Sequence, residues 1–150
     1  MRKPALALLT ICILSVLQCS SHEVVRDRWI GELRFQLDDT SYAWGSVLVR
    51  TWTAGLPEGE RGIAIAAMEN VRNMIEFRAD GPTNVSWSEC VFSCKLTLER
   101  QEYTADEVWL EFTVESEEAL LASFTSFQVS QQSGANPKTL KNGALDITAP

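Results

Sequence analysis

The chain has 150 residues, 45% of them hydrophobic, and carries 13 basic side chains against 20 acidic ones, a net charge of -7. An acidic surface of this kind repels phosphate backbones, which argues against nucleic acid as a partner. One histidine and four cysteines are a poor supply of zinc ligands. No dinucleotide, phosphate-loop or nucleophile-elbow pattern is present, so no cofactor, metal or catalytic set is expected.

Arg2 and Lys3 precede an apolar run over residues 5–17, which Ser20, Ser21, His22 and Glu23 close. A basic start and a short apolar core are the pattern of a signal peptide, whereas a membrane span needs about twenty apolar residues. The junction Val16-Leu17-Gln18-Cys19 resembles a bacterial lipoprotein signal, with an aliphatic residue three before the cysteine. Gln18 departs from the small residue usual there. The resemblance implies cleavage before Cys19, a diacylglyceryl group on its thiol, and attachment to a membrane surface. An ordinary signal-peptidase cut near Ser20 or Ser21 is the alternative. The expected organisation is a leader over residues 1–21, a short linker over 22–28, and one mainly β domain over 29–150. Its location is extracytoplasmic, either secreted or as an outer-membrane or periplasmic lipoprotein. Loss of Arg2 and Lys3 leaves 11 basic against 20 acidic residues, a net charge of -9.

The first strand is read in "WIGELRFQL", where Leu33, Phe35 and Leu37 alternate with Arg34 and Gln36. Asp38 and Asp39 then supply turn-forming side chains. "WGSVLVRTWT" is apolar on both faces and is placed centrally or under a second layer. "AGLPEGERG" breaks the pattern as a surface loop. Residues 63–78 read as two strands joined by a turn over 69–73, with a helix as the competing period through Ala67, Val71, Met74 and Ile75. Asp80-Gly81-Pro82 reads as a turn. Asn84-Val85-Ser86 fits the N-glycosylation pattern.

"SECVFSCKLTL" places Cys90 and Cys94 four residues apart, and a small structural disulfide closing a turn is expected there. Leu96 and Leu98 continue as a strand, with a hairpin connection expected over residues 104–106. In "EVWLEFTVE", Val108, Leu110, Phe112 and Val114 share one face and Trp109, Glu111, Thr113 and Glu115 the other. "SFTSFQVSQ" follows as a strand, and Leu145 and Ile147 suggest a short edge strand in a turn-rich tail. The fold class is therefore all-β, an antiparallel sandwich or Greek-key barrel of about seven or eight strands. An α+β fold with one helix around residues 63–78 is the alternative.

Three function classes fit these residues. The first is an interaction or accessory protein acting on a protein partner through a β-edge or aromatic patch. The second is a carbohydrate- or small-ligand-binding module with Tyr42, Trp44 and Trp109 as its contact residues. The third and weakest is a glycosidase-like enzyme pairing two of Glu89, Glu111 and Glu115.

Overall fold

The computed structural model describes residues 25–150. Ten strands run β1 (Val25–Leu37), β2 (Thr40–Trp44), β3 (Ser46–Trp52), β4 (Glu60–Asn70), β5 (Asn73–Pro82), β6 (Phe92–Leu98), β7 (Gln101–Val108), β8 (Glu111–Glu115), β9 (Ala119–Val129) and β10 (Lys138–Thr148). Two single 3-10 turns, Trp87–Glu89 and Gln132–Gly134, interrupt them. The all-β antiparallel expectation holds, and the helical alternative for residues 63–78 does not: β4 and β5 form a hairpin that turns at Val71 and Arg72.

The sheet order is β7-β6-β5-β4-β3-β1-β10-β9-β8, with β2 also on β1. Most neighbours in the sheet are also neighbours in the chain, as in a meander; the exceptions are that β1 pairs with β3 and with β10, and that β7 and β8 lie at opposite ends of the order. Two corners curl this sheet into a barrel. At the first, β1 passes from pairing with β3 (Trp29 opposite Val47) to pairing with β2 (Leu33 opposite Trp44). Gly31 makes that bend with a φ of 130°, in a region closed to side chains; a Cβ there would lie 2.0 Å from the Asp146 carbonyl oxygen. At the second, β7 pairs with β6, and β8, two residues further on, pairs with β9. Thr104 and Ser130 exchange two backbone hydrogen bonds of 2.8 and 3.0 Å beside this corner, joining the edges of the curl.

The interior follows from the two-residue period of the strands. Ile63, Ile65 and Ala67 of β4 face Val47 and Val49 of β3 and Ile75 and Phe77 of β5 inside the curl. Phe77 meets Phe124 at 5.9 Å between ring centres, linking β5 to β9 across the core, and Phe92 meets Phe112 at 6.0 Å, linking β6 to β8. No charged or polar side chain is fully buried among the described residues.

Several local expectations are corrected. β1 begins at Val25, so part of the presumed linker over residues 22–28 is strand. β5 continues through Gly81 to Pro82 at its end, where the missing N–H of proline costs the ladder little. The hairpin after β6 turns at Glu99 and Arg100, both left-handed with φ of 47° and 71°, and β7 runs through residues 104–106. β10 is a long central strand between β1 and β9, rather than a short edge.

The expected disulfide is absent: Cys90 and Cys94 are both free and buried. Cys90 has extended backbone and Cys94 lies within β6. Four extended residues span about 13 Å at roughly 3.3 Å each, beyond the reach of about 7 Å between bonded α-carbons. Burial raises the pKa of both thiols, and Glu76 adds to the effect at Cys94. Both cysteines therefore act as small core groups held in the neutral thiol form.

Candidate functional site

Residues 53–59, residues 83–91 and the turn at residues 116–118 connect strands at one end of the barrel. They surround a cavity of about 530 Å³. Its apolar lining comes from Trp29 on β1, Val49 on β3, Ile63 on β4, Leu120 on β9 and Trp87, all buried. Its volume lies within the range usual for small-molecule sites. At the rim are Thr51, Thr53, Thr83, Ser116 and Glu117, giving a polar mouth over an apolar floor.

Inside this mouth sits one charged pair, Arg61 with Glu115. Arg61 shares the inward parity of Ile63 and Ile65 on β4. Glu115 was expected on the solvent face of its strand, but a bulge between Phe112 and Val114 reverses the alternation. Glu115 thus comes opposite Leu120 and turns inward, while Val114 is exposed.

The pair is closely held. Arg61 Nη2 donates to Glu115 Oε1 and to the Val85 carbonyl, each at 2.8 Å. Glu115 Oε2 accepts from the Ser86 hydroxyl at 2.8 Å and from the Trp87 backbone N–H at 3.0 Å. Only 28% of the Arg61 side chain and 22% of Glu115 is exposed, so these charge-assisted bonds are partly shielded from water. The guanidinium also lies 4.3 Å from the centre of the Trp87 ring. Ser86 caps the short turn that presents Trp87 by accepting from the Ser88 N–H at 3.1 Å. The Ser88 hydroxyl in turn accepts from the Phe112 N–H at 2.7 Å. One carboxylate therefore ties β4, the segment 83–91 and β8 together around the cavity.

Two buried N–H groups in this lining, Trp29 Nε1 and Arg61 Nε, have no protein acceptor among the described residues. Trp52, also in the lining, lies against Gly62, where a Cβ would be 2.1 Å from the indole, and Arg78 covers its ring at 4.6 Å.

The residues singled out from sequence fare unequally. Trp44 is 2% exposed and packs edge-on against Phe35 at 4.9 Å, which removes it from any surface platform. Tyr42 is half-buried, stacked on the same Phe35 at 5.4 Å. Trp109 is 57% exposed between β7 and β8, with no ring contact to the other two. Of Glu89, Glu111 and Glu115, only Glu115 lines the cavity; the other two are exposed elsewhere. Asn84 is exposed next to the rim residue Thr83. Cys19 lies outside the described residues. No group of three or more metal-ligating side chains comes together among the described residues.

Sequence reading passed over Arg61, Trp29 and Trp87 as site residues. An arginine on the inward parity of "ERGIAIAAM" was the available signal. Comparison of the chain with family models, curated proteins and solved structures finds no match.

Proposed function

We propose that this chain is an extracytoplasmic binding protein whose barrel holds a small, largely apolar molecule. The supporting observation is the cavity of about 530 Å³, with an apolar floor and a single ion pair at its mouth. The leader-like segment ahead of the barrel favours a location outside the cytoplasm. Without a facing pair of free carboxylates in the cavity, binding accounts for the arrangement better than glycoside hydrolysis.

The test is binding of an uncharged fluorescent probe, N-phenylnaphthylamine, to the wild-type chain and to Thr51→Trp. Thr51 lies at the mouth on the inward parity of β3, so an indole there fills the entrance. One probe per chain is expected to bind the wild type with enhanced emission, and at least about tenfold more weakly to the variant. Equal binding by two folded proteins would reject the cavity as the site.

The exposed Trp109 favours a second reading, an aromatic contact for a protein or glycan partner. Trp109→Ala is expected to change stability by less than about 0.5 kcal/mol and to abolish capture of a partner from the native envelope or extracellular fluid. Capture that survives the substitution assigns the contact to another surface.

A further inference from the structure

We propose that the face around Trp109 docks a basic, extended segment of a partner protein, with an arginine laid on the indole and further cations over the carboxylates that flank it. This deepens the second reading above, the aromatic contact at Trp109, and rests on it.

The patch forms where β6 and β7 end side by side. Phe92 pairs with Val108, and both are buried. Further on, the Phe112 N–H donates to the Ser88 hydroxyl at 2.7 Å, so the same antiparallel alignment continues past the ladder. Between these two contacts Val91 comes beside Trp109, and Glu89 beside Glu111. All four are exposed, Trp109 at 57% and Val91 at 43%. On the other side of Trp109, a register shift between Phe92 and Cys94 leaves Asp106 and Glu107 both exposed near Ser93. An apolar pair thus sits in the open with carboxylates at both ends.

The protein itself leaves these groups unanswered. Arg61 covers Trp87 at 4.3 Å and Arg78 covers Trp52 at 4.6 Å, whereas Trp109 has neither a cation nor a ring against it among the described residues. Glu89, Asp106, Glu107 and Glu111 enter no ion pair among the described residues. The nearby cations are engaged elsewhere. Lys95, two residues along β6 from Ser93, pairs with Glu102 at 2.9 Å, and Arg78, opposite Ser93, lies on Trp52.

Charge and spacing select the occupant. Carboxylates on both flanks repel an anionic surface, and equally a second copy of this chain with its net charge of -7. An open indole face favours a guanidinium, which is planar and more weakly hydrated than an ammonium. Glu107 and Glu111 are four residues apart along a stretch of alternating exposure, about 13 Å at roughly 3.3 Å per residue. One small cation does not bridge that span. An extended segment with a cation at every second residue does, setting one at each end and one on Trp109.

The test uses the full chain and two fluorescein-tagged heptapeptides of alternating sequence, arginine with serine and glutamate with serine, followed by anisotropy at low salt. The arginine peptide is expected to bind at least about tenfold more tightly than its glutamate twin. Trp109→Ala, which removes no charge, should weaken it about tenfold, as should the double variant Glu107→Gln/Glu111→Gln. The control Asp39→Asn/Glu69→Gln removes the same charge from exposed sites on other hairpins and should change binding by less than about twofold. Binding that survives Trp109→Ala, or that falls equally in the two double variants, is general attraction to an acidic chain and overturns the proposal. Failure of the arginine peptide to outbind its twin also overturns it; if capture of a native partner still requires Trp109, a glycan or an uncharged protein surface is then the occupant and the Trp109 reading stands. Loss of both the peptide preference and the Trp109-dependent capture brings down the two together.

Discussion

Replacing Glu115 with alanine is expected to lower stability by about 3 kcal/mol, because it leaves a partly buried guanidinium and two further donors without their acceptor. The lost bonds come from Arg61, from the Ser86 hydroxyl and from the Trp87 backbone, all between 2.8 and 3.0 Å. Glu115→Gln keeps a carbonyl oxygen and most of the volume but not the charge, so about half that loss is expected. Arg61→Ala should cost a similar amount, since it also uncovers Trp87. The double replacement should cost less than the two single ones together, with a coupling of about 1–3 kcal/mol. Urea unfolding of the four proteins by tryptophan fluorescence checks this cycle. Strict additivity would mean that the pair is an incidental neighbour contact rather than the clasp of the cavity mouth.

Gly31→Ala is expected to be at least as damaging, by about 3 kcal/mol or more, corresponding to about 10 °C in melting temperature. Two penalties act together. The φ of 130° is barred to an alanine, and its Cβ would collide with the Asp146 carbonyl oxygen at 2.0 Å and approach the Ile147 α-carbon at 2.9 Å. Both groups are backbone, so no side-chain rotation relieves the overlap. Relief requires β1 and β10 to separate where Gly31 faces Ile147. Gly55→Ala isolates the first penalty, because Gly55 also has a positive φ, 79°, but no atom within 4 Å of the added carbon. That control should lose only about 1 kcal/mol. Equal losses at the two positions would show that the corner at Gly31 is not built as described.

Much of the sheet was legible where the two-residue period runs undisturbed. Leu33, Phe35 and Leu37 face inward as the alternation predicts, and the turn falls at Asp38 and Asp39. What was hidden sits where side chains outside the usual turn alphabet, or bulges, control the backbone. Glu99 and Arg100 form a left-handed hairpin turn with neither asparagine nor glycine in it; the Asn73 side chain supports it by accepting from the Glu99 N–H at 3.0 Å. Conversely, Asn142-Gly143 has the composition of a turn yet lies inside β10. There Asn142, with a φ of 50°, accommodates a register shift and donates to Gln36 at 3.0 Å.

The candidate site was less legible for the same reason. Inverting Glu115 takes a bulge that alternation alone does not reveal, and Arg61, Glu115 and Trp29 come together only through the curl of the sheet. The aromatic platform failed at Trp44 because tryptophan composition says nothing about which face a ring occupies. Its neighbour Phe35 is buried, and Trp44 follows it inward.

The pairing of β1 with β10 has a consequence for how the molecule is made. The earliest strand described here waits for the latest, with Gly31 opposite Ile147 and Leu37 opposite Leu140. During synthesis or export the intervening hairpins can form in turn, yet the ring stays open until the carboxyl-terminal segment arrives. Interrupting the chain before β10 would expose the facing edges of β1 and β9 together, two templates for pairing with other chains. The pairing of β10 thus serves as the latch of the fold, and only when it closes are Trp29 of β1 and Leu120 of β9 held in the wall of one cavity.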